Sequence, residues 1–165
     1  MGQEVTGNVE APHLQLRLEQ SDQTGVPGTQ ITLVAEVRLP PDVHVYAPGA
    51  QGYKPIQLLI DAQQAIELKP ATYPQSKILY LPAIKERVPV YEGVFRISQD
   101  IEVNSGSAFF GSLGKEGKTI AITGKLAYQA CDTKTCYFPA SVPVKWDLHV
   151  FPLDRTRAPV EIRHK

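Results

Sequence analysis

Hydrophobic and polar residues alternate one by one along much of this chain. Between positions 13 and 19, leucines stand at every second position and polar residues stand between them. The same period of two recurs in five further segments, 30–39, 43–46, 95–103, 120–128 and 142–150. A strand that is buried on one face and exposed on the other has this period, because successive side chains point to opposite faces. The pattern therefore predicts a series of half-buried β-strands.

Fourteen prolines and twelve glycines are spread along the chain, where they favour turns between the strands. No segment of ten residues carries a convincing helical period of 3.6. Many short strands with such turns predict an all-β fold, an immunoglobulin-like antiparallel β-sandwich. We expect this domain to span residues 12–152. A lead that is disordered or left from cloning would precede it over 1–11, and an exit tail would follow over 153–165.

The charge balance narrows the choice of partners. Lysine and arginine number 17, as do aspartate and glutamate, so the formal net charge is zero. Sequence-independent binding of nucleic acid needs a basic surplus, so no nucleic-acid partner is expected.

No apolar run approaches the roughly 20 residues of a membrane-spanning helix, so we expect no membrane insertion by this segment. The first four residues lack the parts of a signal peptide, which fits either a cytosolic protein or a leader already removed.

Metal and nucleotide sites receive little support from the sequence. A structural zinc site needs four ligands, commonly in tight pairs, whereas the histidines are scattered at His13, His44, His149 and His164. The triplet Gly117-Lys118-Thr119 resembles the end of a phosphate-binding loop. However, Ser112 stands where that motif needs glycine, and a strand pattern follows instead of a helix. We expect no cofactor and no metal.

The chemistry-bearing feature is a pair of cysteines, Cys131 and Cys136, separated by four polar residues. One strand pattern ends near Cys131 and another starts soon after Cys136, so the two cysteines would face each other across the mouth of a hairpin. Directly paired antiparallel residues have Cα atoms about 4.5 or 5.5 Å apart. That separation falls within the window of about 4.4–6.8 Å that a disulfide accepts. A bond between the two cysteines is therefore geometrically easy.

The spacing leaves two roles for such a bond open. Closing a loop of six residues restricts the unfolded chain by only about 2 kcal/mol, and a bond that contributes little stability suits reversible thiol exchange. Cys131 shares the parity of the solvent-facing residues before it, so we expect it to be accessible. Extending the face of Trp146 backwards places Cys136 on the core side, which requires a bulge or break near Pro139. A redox pair and a structural disulfide both remain possible.

The segment Tyr128-Gln129-Ala130-Cys131, followed by Cys136, Pro139 and a valine-rich strand, resembles the N-terminal periplasmic domain of the thiol:disulfide interchange protein DsbD. Two shorter elements fit the same family, His44-Val45-Tyr46 with Pro48, and Tyr91-Glu92-Gly93. The resemblance covers roughly residues 12–151. It implies an immunoglobulin-like fold in the periplasm or another extracytoplasmic compartment.

The resemblance also implies a relay of electrons. A membrane-embedded partner would pass reductant through a thioredoxin-like donor domain to the cysteine pair, which would then reduce oxidised periplasmic proteins by mixed disulfides. By position, Cys136 matches the cysteine that bonds to partners, and Cys131 matches the resolving cysteine. The chain would then be part of a protein-disulfide reductase system. The alternative is an immunoglobulin-like binding or spacer module with a purely structural hairpin disulfide.

Further residues are expected around the cysteines. His44 and Tyr46 resemble the polar-aromatic side of the family's site. Asp132 should disfavour a thiolate on its neighbour, while Lys134 could favour one. The set of site-lining residues is completed by two tyrosines next to the cysteines, Tyr128 and Tyr137.

A cap loop shields the disulfide in this family and swings aside when a partner binds. The segment of this chain most similar to it is Pro82–Arg87, and the residues expected in the cap are Ala83, Ile84, Lys85 and Glu86. Exposed sulfurs under such a flap favour the exchange function. A buried bond with nothing concave beside it favours the binding module.

Overall fold

The computed structural model describes residues 4–81, 85–106, 111 and 113–152. Within these residues the chain forms thirteen strands: β1 (Glu4–Ala11), β2 (Leu14–Gln20), β3 (Thr24–Gly25), β4 (Gln30–Arg38), β5 (His44–Tyr46), β6 (Gln57–Ile60), β7 (Ile66–Thr72), β8 (Lys77–Leu81), β9 (Glu86–Glu92), β10 (Val94–Val103), β11 (Lys118–Tyr128), β12 (Ala130–Cys131) and β13 (Ala140–Val150). Over the described ranges, no helix has the length and hydrophobicity needed to cross a membrane.

Two of the three sheets form a sandwich. One sheet has the strand order β1-β2-β4-β10-β7, and the other has the order β3-β13-β11-β6. Their alternating strands turn apolar side chains inward, and the centre of the core is fully buried at Leu33, Ile97, Ile122 and Trp146. The all-β antiparallel sandwich predicted from the alternation is therefore confirmed.

The third sheet has the order β12-β5-β9-β8 and positions the cysteines. One of its faces packs into the main core through Val45, Tyr91 and Ala130. Its other face carries a second cluster, in which the residues are Tyr46, Val88, Val90 and Cys131, with Leu79 and Leu81 packed against them. We call this second face the sulfur face. Since both faces of the sheet are covered, neighbouring residues of one strand are buried in different clusters.

The beginning of the domain differs from the expectation. Residues 4–11, expected in a lead that is disordered or left from cloning, form β1 and pair antiparallel with β2. The register shifts between Val5 and Gly7, which hides the strand from a search for regular alternation. Val9 and Ala11 pack against the core, so the strand belongs to the sandwich. Residues 1–3 and the expected tail, 153–165, lie outside the described residues.

Candidate functional site: an asymmetric disulfide

The cysteine segment is the connection of a long hairpin formed by β11 and β13. The two strands pair from Lys118 with Val150 to Tyr128 with Ala140. After β11 the chain leaves this sheet, pairs with β5 as the short strand β12, turns, and enters β13 directly after Pro139. The break expected at this proline is therefore present, and it allows the connection to belong to a different sheet from the strands that it joins.

A tight turn brings the two cysteines together. Cys131 and Cys136 form an antiparallel bridge and a disulfide, and their Cα atoms are 3.9 Å apart. Between them, the amide of Asp132 donates to the carbonyl of Thr135 at 2.8 Å. Oδ1 of Asp132 accepts hydrogen bonds from the amides of Lys134 and Thr135, each at 2.7 Å. The aspartate side chain therefore fixes the turn that the sequence predicted at the hairpin mouth.

The two sulfur-bearing residues differ in exposure. Cys131 is only 1% exposed, whereas Cys136 is an exposed residue. The expectation that Cys131 would be accessible is wrong, whereas the break at Pro139 leaves Cys136 exposed, away from the core face of Trp146. The expectation for Cys131 assumed that the alternation of β11 continues to this residue, but the chain changes sheets at Gln129 and places Cys131 on the sulfur face. An incoming protein can therefore approach Cys136 far more easily than Cys131.

A tyrosine hydroxyl contacts both sulfur atoms. The hydroxyl of Tyr46 lies 3.4 Å from Sγ of Cys131 and 3.5 Å from Sγ of Cys136. The sulfurs of a disulfide carry no proton, so the hydroxyl is the donor. Burial raises the pKa of Tyr46, and the charge interaction with Tyr53 raises it further, so the hydroxyl stays protonated at neutral pH. The ring of Tyr53 stacks on that of Tyr46 with centroids 4.3 Å apart.

His44 occupies the centre of a row of residues across the third sheet. It pairs with Cys131 of β12 on one side and with Glu92 of β9 on the other. The residue is 8% exposed, and its buried Nε2 has no hydrogen-bond partner among the described residues. Burial lowers the pKa of His44, although the charges of Glu92 and Asp132 act in the opposite direction. The imidazole is therefore neutral at neutral pH.

Asp132 and Tyr137 form a hydrogen-bonded pair beside the exposed cysteine. The hydroxyl of Tyr137 donates to Oδ2 of Asp132 at 2.8 Å, and the ring of His13 stacks on that of Tyr137 with centroids 3.7 Å apart. The amide of Lys134, the Tyr137 hydroxyl and the amide of Thr135 all lower the pKa of Asp132 by donating hydrogen bonds to it. The turn thus carries a fixed negative charge beside the disulfide. The side chain of Lys134 is exposed to solvent.

One expected site-lining residue belongs to the main core, and the expected cap is described only in part. The ring of Tyr128 packs in the main core, and its hydroxyl donates to the carbonyl of Pro12 at 2.6 Å. Burial raises the pKa of Tyr128 to about 12. Of the expected cap residues, Ala83 and Ile84 lie outside the described residues, Lys85 is in a turn and Glu86 begins β9.

An open depression of about 800 Å³ lies beside the exposed cysteine. Its lining includes His13, Gln129, Cys136 and Phe138, and Phe138 is 95% exposed. The sequence patterns place none of His13, Phe138 and Tyr53 at the site. Among the described residues, no cluster of three or more histidine, cysteine, aspartate or glutamate residues could hold a metal ion.

Comparison with known proteins places this geometry in a family context. A family model described as "Thiol:disulfide interchange protein DsbD, N-terminal" matches residues 15–145. No curated protein matches the chain significantly in sequence. Among solved structures, the N-terminal periplasmic domain of ScsB from Proteus mirabilis is similar, with a TM-score of 0.58 and 13% identity over 99% of this chain and 56% of that chain.

A second solved structure is the reduced N-terminal domain of DsbD from Neisseria meningitidis. Its TM-score is 0.46 and its identity is 15%, over 71% of this chain and 80% of that chain. The match to the ScsB structure covers 56% of that chain, so the present chain spans little more than half of its length. At such low identity, the ScsB likeness supports the fold and not a particular activity.

Proposed function

Since the chain belongs to the family of the N-terminal domain of the thiol:disulfide interchange protein DsbD, we propose that it is a periplasmic or otherwise extracytoplasmic thiol-disulfide exchange domain. In this proposal, Cys131 and Cys136 pass reducing equivalents to oxidised partner proteins. The domain itself would be reduced by a thioredoxin-like donor domain. This makes the chain one component of a protein-disulfide reductase system that uses neither metal nor bound cofactor.

The observation that carries the proposal is the asymmetry of the disulfide. A partner sulfur can reach Cys136, which is exposed beside an open depression, while Cys131 is almost completely buried. A mixed disulfide would therefore form on Cys136, and Cys131 would remain next to it as the resolving cysteine. This division of roles is the one that the family resemblance implied from position alone.

The chemistry requires two thiol exchanges. In the reduced domain, the thiolate of Cys136 attacks one sulfur of a partner disulfide, and the partner's other sulfur leaves as a thiolate. The thiolate of Cys131 then attacks Sγ of Cys136, which restores the Cys131–Cys136 bond and releases the partner in its dithiol form. The turn built on Asp132 keeps the two cysteines adjacent, so the second attack is intramolecular.

The hairpin of β8 and β9 is our proposed shield for this site. Leu79 and Leu81 of β8 pack with Val88 of β9 in the cluster that contains Cys131. Two described residues of the segment that resembles the family's cap lead into this hairpin's second strand, Lys85 in a turn and Glu86 at the start of β9. Movement of this hairpin would change access to the buried sulfur of Cys131.

The reduction potential of the cysteine pair tests the proposed function. We expect a value of about −180 to −270 mV, the range of proteins that exchange disulfides. Alkylation of free thiols across a series of glutathione buffers measures it, with the double variant Cys131→Ser/Cys136→Ser as the control for unspecific labelling. A potential below about −300 mV is typical of structural disulfides and would instead support a binding or spacer module stapled by this bond.

A further inference from the structure

Three residues with acid-base or thiol chemistry stand in one row across the third sheet. His44 of β5 is the direct cross-strand partner of Cys131 in β12 and of Glu92 in β9. Directly paired residues of neighbouring strands point to the same face, with Cβ atoms about 4.5–5.5 Å apart. The imidazole therefore stands on the sulfur face, between the buried cysteine and a carboxylate.

Burial creates a difficulty for the resolving cysteine. A thiol becomes a nucleophile only when it loses its proton, and burial in apolar surroundings disfavours the thiolate. Cys131 is 1% exposed and belongs to a cluster with Val88 and Val90, so solvent has little access to its sulfur. The Tyr46 hydroxyl near this sulfur is protonated at neutral pH and can stabilise a thiolate but not remove the thiol proton.

We propose that His44 is the proton acceptor for the thiol of Cys131 in the resolving step. This inference rests on the proposed function and adds a residue to it. Nε2 of His44 is buried and has no hydrogen-bond partner among the described residues. In the tautomer protonated at Nδ1, this nitrogen is a free acceptor. A buried acceptor without a hydrogen-bond partner destabilises the fold. Once the disulfide is opened, the thiol of the neighbouring Cys131 would supply the missing donor.

The charges around His44 are suited to a transient proton. Glu92 of β9 and Asp132, in the turn after β12, are negative, and Lys77 of β8 is ion-paired with Glu92 at 2.7 Å. Tyr46, on the same strand, is neutral and lies edge-on to the imidazole, with ring centroids 5.6 Å apart. Burial lowers the pKa of His44, so the imidazole is free to accept a proton at neutral pH, and the two carboxylates favour the imidazolium once it forms.

The resolving step then balances in protons and electrons. The proton of the Cys131 thiol moves to Nε2 of His44, and the resulting thiolate attacks Sγ of Cys136. The bond between Cys136 and the partner sulfur breaks, and its electron pair leaves on the partner, which is reduced. The Cys131–Cys136 disulfide forms, so this pair is oxidised. The imidazolium finally returns its proton to the departing thiolate or to water.

The reaction of the reduced domain with 5,5′-dithiobis(2-nitrobenzoate) separates the two steps. Attack by Cys136 releases one thionitrobenzoate, and attack by Cys131 on the mixed disulfide releases a second, so stopped-flow absorbance resolves both phases. We expect His44→Gln to slow the second phase about 100-fold at neutral pH, a size typical of general-base catalysis. The first phase should change less than about twofold, because it does not need the Cys131 proton.

The pH profile distinguishes proton transfer from a structural effect. In the wild type, the second phase should be constant through neutral pH and fall only below the lowered pKa of His44, where the imidazole is already protonated. In His44→Gln it should instead rise with pH, because hydroxide must replace the missing base. His149→Gln is the matched control, since His149 lies at the end of the β11/β13 hairpin that is far from the cysteines. Its ring is hydrogen-bonded there to the hydroxyl of Thr119 and the backbone carbonyl of Glu116.

The outcomes separate this inference from the proposed function. If the wild type releases both equivalents rapidly and His44→Gln has the same second phase and the same pH profile, the role of His44 is overturned while the exchange function stands. If the wild type releases only one equivalent, the exchange function itself fails. Should His44→Gln not fold, His44→Asn and the wild-type profile decide, and a wild-type second phase that keeps rising through neutral pH contradicts the proposal.

Discussion

The hydroxyl of Tyr46 lies within hydrogen-bond distance of both sulfurs of the disulfide, at 3.4 and 3.5 Å, and has one proton to donate to them. When the bond is opened, one sulfur acquires negative charge, and a hydrogen bond to a charged acceptor is stronger than one to a neutral acceptor. The tyrosine therefore favours the reduced, thiolate-bearing state over the oxidised one. Because this ring is 2% exposed, no water molecule can easily take the place of the hydroxyl.

Tyr46→Phe should consequently lower the reduction potential of the pair. Loss of a hydrogen bond to a charged group costs about 1.5 kcal/mol, which corresponds to about 30 mV for this two-electron couple. Equilibration of both proteins in the same glutathione buffers measures the shift. Tyr53→Phe is the control, because it keeps the stacked ring at 4.3 Å, and the hydrogen bonds found to the sulfurs among the described residues come from Tyr46 and not from Tyr53. An unchanged or higher potential in Tyr46→Phe contradicts this role.

The residues of the site were predictable from the sequence to different degrees. The cysteine pair and its polar turn were indicated by spacing, and His44 and Tyr46 by family resemblance. Exposure of the cysteines was not predictable by parity, because the chain changes sheets at Gln129. Tyr53 carries no local signal, since it reaches the site from a loop and its stacking depends on the fold of that loop.

At the scale of elements, the long strands β4, β10, β11 and β13 are the ones that alternation predicts well, because each has one face in the core and one in solvent. The hairpin of β8 and β9 was not predicted. Its strand Lys77–Leu81 has apolar residues at four successive positions, with Leu79 and Leu81 on the sulfur face and Ile78 and Tyr80 exposed. Alternation fails for such a strand because both of its faces are apolar.

The pairing of β11 with β6 depends on one glycine. A Cβ atom added at Gly124 would lie 2.3 Å from the carbonyl oxygen of Leu59 and 3.0 Å from Cα of Ile60. Both are backbone atoms of the neighbouring strand, so they cannot move aside without breaking the ladder. The strand β6 can therefore approach β11 this closely only because position 124 lacks a side chain.

Gly124→Ala should lower the free energy of unfolding by about 2 kcal/mol, the usual cost of forcing one extra carbon into a packed site. Urea denaturation followed by tryptophan fluorescence measures the change, since Trp146 is buried in the core. The matched control is Lys125→Ala on the same strand, where the side chain is exposed and the expected change is below about 0.5 kcal/mol. Equal stabilities of the two variants would contradict a close contact at Gly124.

At the scale of the whole molecule, the disulfide and the sandwich are separate sources of stability. The bond closes a loop of only six residues on the third sheet, whereas the main core is shared by the two larger sheets. Loop closure of this length is worth about 2 kcal/mol at most, against a total of about 5–15 kcal/mol for a typical domain. We therefore expect the fold to tolerate opening of the bond, as the proposed cycle between two redox states requires.

Matched serine variants of the two cysteines connect this stability to the asymmetry of the site. Both Cys136→Ser and Cys131→Ser should remain folded and lose about 2 kcal/mol of stability or less, as urea denaturation measures.

The two serine variants should differ in their reaction with oxidised proteins. Cys131→Ser leaves the exposed sulfur without its resolving partner and should accumulate a stable mixed disulfide with an oxidised protein, visible as a slower band on a non-reducing gel. Cys136→Ser leaves only the sulfur that is 1% exposed and should form almost none. Unfolding of both variants would assign the bond a structural role, and equal trapping by both would mean that burial of Cys131 does not control which sulfur a partner attacks.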